Sequence, residues 1–234
     1  MGLIQKLLSI AQVAGGVVLY LLIALSVLSI GMILERWWFF RRRRIDAEAL
    51  GADILRRLDA GDHDGISKLL GASRSVEAEV LAAAMKWYDA GPESFQEVLQ
   101  GVLRQRRKKL EGGLLFLGTL GNNAPFIGLF GTVLGIVTAF HELGAGAGAT
   151  SGAMGNVMSA IAEALVATAV GILVALPAVI AYNTFQKKAG QIEENVGSLG
   201  NLVVAQMKAT DGRANHASRR RERELRAVAP EVEA

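Results

Sequence analysis

The sequence predicts an all-α integral membrane protein with three transmembrane helices and long cytoplasmic helical extensions. Three observations lead to this fold class. Of the 234 residues, 51% are hydrophobic, and three long runs carry no charge or almost none. Lysine and arginine, with one exception, lie in the segments that follow the first and third runs. Apolar residues outside the runs recur at helical spacing, and no strand-like alternation of any length is present.

The three apolar runs are each long enough to cross a bilayer. Residues 7–34 and 112–140 contain no charged residue, and residues 156–186 contain only Glu163. A helix needs about 20 residues to cross the ~30 Å hydrocarbon core. We therefore predict transmembrane helices at 17–40, 112–140 and 156–186. The second and third are longer than this minimum and should be tilted or project beyond the bilayer.

The first run is predicted to be a membrane anchor rather than a cleaved signal peptide. A signal peptide carries its positive charges before a short apolar core, whereas here the arginines at 41–44 follow the core. Residues 35–111 hold 15 lysines and arginines and residues 185–234 hold nine, which leaves only Lys6 of the total of 25. Cytoplasmic segments carry such an excess. We therefore expect a periplasmic N-terminus and a cytoplasmic C-terminus.

The segments outside the spans are predicted to be mostly helical. Residues 41–111 should form a cytoplasmic helical domain with breaks at 60–62 and 90–91, and its last helix should run directly into the second span. Residues 187–210 should form a cytoplasmic helix with an apolar stripe. The other boundaries are a periplasmic amphipathic segment at 1–16, or a continuation of the first span there, a periplasmic loop at 141–155 and a disordered charged tail at 211–234.

Glu163 is the only acidic or basic residue within the three spans, apart from those at their ends. A charge on a spanning helix costs about 2.5–3.5 kcal/mol on insertion scales, so such a residue faces a cavity or the interior of a bundle. We interpret Glu163 as a carboxyl group able to gain and lose protons. The alternative is a permanently protonated glutamate that holds the helices together.

Small residues around Glu163 predict close helix packing, because they let backbones approach in lipid. The third span carries a stripe of them at spacings of four, three, four and four: Ala160, Ala164, Ala167, Gly171 and Ala175. The second span surrounds Thr132 with Gly128, Gly131 and Gly135. Thr168 lies about 140° around the helix from Glu163, and Pro177 is expected to kink the third span.

Two long motifs in the second and third spans carry a family resemblance. The first is Gly-Leu-Phe-Gly-Thr-Val-Leu-Gly-Ile at 128–136. The second is Ile-Ala-Glu-Ala-Leu-Val-Ala-Thr-Ala-Val-Gly-Ile at 161–172, followed by Ala-Leu-Pro-Ala-Val at 175–179 and by Tyr182-Asn183. In this order they resemble the second-span and third-span motifs of the MotA/TolQ/ExbB proton-channel family, and most closely its ExbB and TolQ branch.

The resemblance implies a homopentamer in the bacterial inner membrane, with a dimer of a single-span ExbD/TolR-like partner in its central pore. Such complexes use the proton motive force for mechanical work on a periplasm-spanning effector of the TonB, TolA or gliding type. By position, Thr132 and Thr168 would line a proton pathway to an aspartate of the partner. Glu163 would hold or polarise the same interface.

Two other functions fit the same spans. One is a flagellar-type stator subunit, and the other is a passive membrane scaffold in which Glu163 is structural. The sequence shows no nucleophile–base pair, no phosphate-binding loop and no cluster with metal-ligand spacing, and it has no cysteine. We therefore expect neither an enzyme nor a cofactor or metal site. The basic tail is expected to be solvated beside the membrane rather than to contact nucleic acid or anionic lipid.

Overall fold

The computed structural model describes residues 3–144 and 151–228, and every regular element in these ranges is helical. A short 3₁₀ helix, Tyr88–Ala90, lies between the fourth and fifth of the α-helices described. The prediction of an all-α chain is confirmed for these residues. The α-helices are α1 Leu3–Arg42, α2 Ala47–Asp59, α3 His63–Ala72, α4 Val76–Met85, α5 Pro92–Leu110, α6 Leu114–Gly144 and α7 Ser151–Val228.

The chain divides into two compact units. The first combines Met1–Phe39 with Glu111–Lys187, and the second combines Phe40–Leu110 with Lys188–Ala234. Among the described residues, three helices, α1, α6 and α7, are long and apolar enough to cross a membrane by length and composition. The prediction of three candidate spans is confirmed at that level. The membrane boundaries, which a helix does not mark by itself, stay predictions.

In the first unit, α6 and α7 pack closely in antiparallel directions. A Cβ atom placed on Gly118 would lie 3.0 Å from the Tyr182 ring, and one placed on Gly135 would lie 2.5 Å from Cβ of Ala164. Residues later in α6 thus meet residues earlier in α7. Helix α1 also joins this packing, because a Cβ atom on Gly131 would lie 3.1 Å from Val18.

In the second unit, helices α2 to α5 share an apolar core with the last part of α7. The stripe predicted on the cytoplasmic helix is largely buried there, at Val196, Leu199, Val203 and Met207. Leu50, Ile54, Leu81, Phe95 and Leu99 of the helical domain are each at most 5% exposed as well. A Cβ atom placed on Gly51 of α2 would lie 3.0 Å from the Leu199 side chain. Leu99 packs against Gly200, where any side chain would collide with it. The amphipathic stripe of α7 is therefore covered by the helical domain of the same chain.

Short side chains begin the small helices of the second unit. Asp46 accepts hydrogen bonds at 3.1 Å from the backbone N–H groups of Glu48 and Ala49, and the Ser75 hydroxyl accepts one at 3.1 Å from Ala78. Asp62 accepts one at 2.8 Å from the Gly65 N–H, and mainly this bond lowers the pKa of its carboxyl group. Each cap satisfies an N–H that has no partner within its helix.

Among the described ion pairs of the second unit, three connect elements that are distant in the sequence. The Glu79 carboxylate lies 3.3 Å from the Arg43 guanidinium and 3.4 Å from that of Arg106. A third pair joins Arg107 of α5 to Glu193 of α7 at 3.4 Å. These partly exposed pairs fix the register between helices more than they add stability.

Two sequence expectations differ from the structure. The helix that starts at Pro92 does not run into the second span but ends at Leu110, because the chain turns through Gly113 at φ 73° before α6 begins. The tail expected to be disordered from 211 is helical as far as Val228. Its arginine, glutamate and alanine residues have high helix propensity, which low hydrophobicity alone did not reveal.

The ends of the predicted membrane segments also extend differently. Of the predicted loop 141–155, residues 141–144 belong to α6 and residues 151–155 belong to α7, while 145–150 lie outside the described residues. The segment 1–16 is part of α1 from Leu3 onward. A helix continues past the membrane edge wherever no residue stops it, because its hydrogen bonds are internal. Whether 1–16 lies on the membrane surface stays a prediction.

Candidate functional site

The candidate site is built on a seam where the backbones of α6 and α7 come close together. A Cβ atom on Gly128 would lie 2.7 Å from the Ala167 carbonyl oxygen, and one on Gly171 would lie 2.7 Å from the Ala124 carbonyl oxygen. The two glycines also face each other, since the Gly171 Cβ position is 3.1 Å from the Gly128 Cα. Only glycine fits at these two positions without a shift of the helices.

Gly131 and Gly135 continue the seam along α6. A Cβ atom on Gly131 would lie 3.0 Å from the Ala167 Cβ, and one on Gly135 would lie 3.2 Å from the Ala160 carbonyl oxygen. Ala164 and Ala167 are at most 4% exposed. The structure therefore brings together the small residues of both predicted stripes in one antiparallel packing.

Thr168 lies at this seam with an unusual hydroxyl group. A Cβ atom on Gly128 would be 3.0 Å from the Thr168 Cα. The Thr168 Oγ1 atom is buried and has no hydrogen-bond partner among the described residues. A threonine in an apolar helix ordinarily donates to a carbonyl of the preceding turn. Leaving a buried hydroxyl unpaired costs about 1–3 kcal/mol, so a hydrogen-bond partner from outside the described residues would be stabilising here.

The other threonines of α6 and α7 with described hydrogen bonds behave in the ordinary way. Thr132 is 9% exposed, and its hydroxyl donates to the Leu129 carbonyl at 2.7 Å. Thr138 donates to Leu134 at 3.1 Å, and Thr184 donates to Ile180 at 2.7 Å. Thr132 thus shares the buried side of α6 with Gly128 one turn earlier, but its hydroxyl is already satisfied by its own helix.

Glu163 lies beside the seam rather than in it. The residue is exposed in the isolated chain, whereas the adjacent Ala164 is buried against Gly135. On α1, a Cβ atom placed on Gly16 would lie 3.9 Å from the Glu163 Oε1 atom. The structure therefore gives Glu163 a neighbour on α1 and an accessible carboxyl group, and it does not bring this carboxyl group to the Thr168 hydroxyl.

Pro177 lies within α7 and is exposed. Its neighbours Val174, Ala175 and Ala178 are buried, so the proline ring projects away from the packed face. A proline removes one backbone hydrogen bond from the helix interior. The kink itself stays a prediction.

Several polar or close contacts were not apparent from the sequence. Gly118 and Gly121 extend the seam, with Cβ positions 3.0 Å from Tyr182 and 2.5 Å from Val179. In the second unit, Glu77 is a buried acid, only 3% exposed. Burial raises the pKa of the Glu77 carboxyl group, which accepts a hydrogen bond at 3.3 Å from the Asn195 amide. Its sequence position, the first turn of a helix, is common for exposed acids and gave no signal of burial.

The outer surfaces of the three long helices are apolar. Large side chains such as Leu115 (81% exposed), Phe126 (67%) and Leu173 (69%) have no cover within the chain. Such an extent of exposed apolar surface is characteristic of a chain that meets lipid or other subunits. Fold and site together define a helical membrane protein whose closely packed spans carry an accessible carboxyl group and a buried, unpaired hydroxyl group.

Comparison with known proteins agrees with this class and makes it specific. The model of the MotA/TolQ/ExbB proton channel family matches residues 72–197, which is more than half of the chain. The chain belongs to this family, and the resemblance of its two motifs is thereby confirmed. The matched range contains Thr132, Glu163 and Thr168.

Individual relatives are named for both branches of the family. The Tol-Pal system protein TolQ of Pseudomonas aeruginosa is 43% identical over 101 residues, covering 43% of this chain and 42% of TolQ. The biopolymer transport protein ExbB of Xanthomonas campestris is 41% identical over 95 residues, covering 41% of this chain and 36% of ExbB. A putative ExbB-like biopolymer transport protein of Synechocystis is 29% identical over 189 residues, 80% of this chain and 73% of that protein. The chain thus spans less than half the length of the TolQ and ExbB proteins cited.

Proposed function

We propose that this chain is the proton-channel subunit of an energy-transducing complex in the bacterial inner membrane. The observation that carries the proposal is the family match, which includes the seam between α6 and α7 and all three polar site residues. The complex would convert the proton motive force into mechanical work on a periplasm-spanning effector of the TonB, TolA or gliding type. One elementary charge that falls through 100 mV yields about 2.3 kcal/mol, enough to bias a repacking step between subunits.

The proposed assembly is a homopentamer around the dimer of an ExbD/TolR-like partner. Three helices are too few to enclose a wide aqueous route, so a pathway would require further copies or a partner. The accessible Glu163 and the uncovered apolar surfaces support such an assembly. The excess of lysine and arginine after the first and third spans supports a periplasmic N-terminus and a cytoplasmic C-terminus.

The three polar residues have different proposed roles. The Thr168 hydroxyl group forms no hydrogen bond with a described residue, so it can form one with water or with a partner residue as protons pass. Thr132 supports the same region from α6, with its hydroxyl fixed by its own helix. Glu163, accessible at the side of α7, would polarise or hold the interface with the partner rather than bind each passing proton.

The test is proton flux into liposomes that contain the chain together with its ExbD/TolR-like partner. We expect partner-dependent flux in the wild type and a loss of most of it in Glu163→Gln and Thr168→Val. Valine has nearly the shape of threonine, so Thr168→Val removes the hydroxyl and leaves the packing in place. Because the lost hydroxyl is unpaired, this variant should be at least as stable as the wild type, while its flux falls.

Thr184→Val is the matched control. It makes the same substitution on the same helix, at an exposed threonine whose hydroxyl is already bonded to the Ile180 carbonyl. It should leave proton flux unchanged. Wild-type flux in both Glu163→Gln and Thr168→Val, with the complex intact, would refute the site and favour a passive scaffold. Equal losses of proton flux in Thr168→Val and Thr184→Val would show that the loss does not depend on the unpaired hydroxyl of Thr168.

A further inference from the structure

A polar cavity in the second unit is independent of the seam between α6 and α7. Its volume is about 220 Å³. Its lining comes from the end of α1, the segment after it, α4 and α7, and includes Phe40, Arg43, Arg44, Glu77, Lys188 and Asn195. A water molecule occupies about 30 Å³ of liquid volume, so the cavity has room for a polar group of several heavy atoms.

The lining combines three cationic side chains with one buried carboxyl group. Arg43, Arg44 and Lys188 supply the positive charge. The Glu77 side chain accepts a hydrogen bond from Asn195 through Oε1, while Oε2 is buried with no partner among the described residues. Burial raises the pKa of Glu77 and favours its neutral form, which donates a hydrogen bond and does not repel an anion. The cavity therefore suits an anionic group that also carries a polar hydrogen-bonding arm.

The sequence positions of the lining residues relate the cavity to the membrane surface. Phe40 is the last residue of the first predicted span, and Lys188 lies two residues beyond the third. Under the orientation proposed above, both span ends reach the cytoplasmic leaflet. Basic pockets at the cytoplasmic ends of spanning helices bind the head groups of anionic lipids. The position thus favours a phosphate held by a lipid over a phosphate free in solution.

We propose that this cavity binds the phosphodiester head group of an anionic glycerophospholipid, with Arg44 and Lys188 at the phosphate and with Glu77 and Asn195 at a head-group hydroxyl. The proposal rests on the proposed orientation but not on proton conduction. Arg43 contributes charge but also pairs with Glu79 at 3.3 Å. Changing Arg43 would therefore disturb the fold, and the test leaves it intact.

The test is native mass spectrometry of the full chain in detergent, titrated with phosphatidylglycerol, with phosphatidylcholine and with soluble glycerol 3-phosphate. We expect phosphatidylglycerol to bind more tightly than phosphatidylcholine. Each basic side chain beside an anionic lipid contributes about fivefold in affinity, so Arg44→Gln with Lys188→Gln should weaken phosphatidylglycerol binding about 30-fold. The matched control is Arg41→Gln with Lys187→Gln, which removes the same charge from exposed neighbours that do not line the cavity.

Three outcomes decide the proposal. Loss of phosphatidylglycerol binding in the cavity variant alone supports it, whereas equal losses in both double variants would reduce it to general charge attraction. Equal binding of phosphatidylglycerol and phosphatidylcholine would overturn it. If glycerol 3-phosphate competes with an affinity equal to that of the lipid, the proposal that the bound phosphate belongs to a lipid is overturned. The cavity would then be a site for free phosphate esters.

Glu77→Gln gives a second measurement. Glutamine keeps the acceptor for Asn195 and stays neutral at every pH. Wild-type affinity for phosphatidylglycerol should fall as pH rises and Glu77 ionises beside the bound phosphate, whereas the variant should bind equally well across the range. The same pH dependence in wild type and variant would refute the place of Glu77 in the site.

Discussion

Replacing either Gly128 or Gly171 with alanine should force α6 and α7 apart. A Cβ atom at either position would come within 2.7 Å of a backbone carbonyl oxygen on the facing helix. That is about 0.7 Å short of ordinary van der Waals contact, and a carbonyl oxygen within a helix cannot rotate away. Overpacking of this kind costs about 1–3 kcal/mol. We therefore expect Gly128→Ala and Gly171→Ala each to lower the free energy of unfolding by that amount relative to an alanine substitution at an open helical glycine.

Gly31→Ala is the control for these two variants. Gly31 lies in the candidate span of α1, and a Cβ atom there would have no heavy atom within 4 Å. Alanine favours a helix over glycine by about 0.5–1 kcal/mol, and this gain is common to all three substitutions. The difference between Gly128→Ala and Gly31→Ala therefore isolates the close contact. The assay is unfolding of the purified protein in mild detergent by added dodecyl sulfate, followed by the fluorescence of its three tryptophans.

The double variant Gly128→Ala/Gly171→Ala tests the geometry more closely. The two glycines face each other, since a Cβ atom on Gly171 would lie 3.1 Å from the Gly128 Cα. Once the first alanine has separated the helices, the second requires less further movement. The double variant should lose less stability than the sum of the single losses, because contacting sites are not additive. Single variants as stable as Gly31→Ala, or strictly additive losses, would refute the close packing of the two helices.

Three further predictions concern the second unit. Glu77→Gln should gain stability relative to the wild type as pH rises above about 4.5, the ordinary pKa of glutamate. The pKa of Glu77 is raised in the folded state, so the native state holds its proton longer than the unfolded state and wild-type stability falls with rising pH. Parallel pH dependences of the melting temperatures of both proteins from pH 4 to 8 would contradict this. Ser75→Ala should lower the free energy of unfolding in denaturant by about 0.5–2 kcal/mol, because the Ser75 hydroxyl caps α4. Ser198→Ala, at an exposed site on α7, should change this free energy little. Gly91→Ala should lower the free energy of unfolding by about 1–3 kcal/mol, because residue 91 has φ 98° and ψ 167°, a region open only to glycine. Gly101→Ala, in the open middle of α5, should raise it by about 0.5–1 kcal/mol. Equal effects at the two glycines would argue against the assigned turn.

Much of the fold was predictable because it depends on patterns local to the sequence. The three apolar runs exceed the length that a bilayer requires, and the breaks at residues 60–62 and 90–91 follow from the backbone preferences of glycine. The boundary at Gly113 was missed because a stretch of basic residues continues the helical pattern up to Leu110. That pattern does not indicate that Gly113 has a positive φ. The helical tail was missed because composition predicts solubility better than it predicts backbone conformation.

The candidate site was predictable in its residues but not in its geometry. Glu163 was found because a charge in an apolar span is rare, and the glycines were found because small residues recur at helical spacing. Whether a given hydroxyl bonds its own helix depends on a rotamer and on the opposing backbone, and neither can be read from a sequence. The difference between Thr132, whose hydroxyl is bonded, and Thr168, whose hydroxyl is not, therefore required the structure.

The arrangement of α7 bears on why one copy of this chain is insufficient for the proposed pathway. At about 100° per residue, the stripe of Ala164, Ala167 and Gly171 that packs on α6 lies between Glu163 and Thr168, which flank it about 140° apart. Helix α6 packs in the sector between them, so it separates the Glu163 and Thr168 side chains on that side of α7. A path that uses both groups must combine surfaces of different subunits or of a partner helix. The close packing of the spans and the proposed need for further chains thus have the same cause, because the glycine seam joins α6 to α7 in the sector that lies between Glu163 and Thr168.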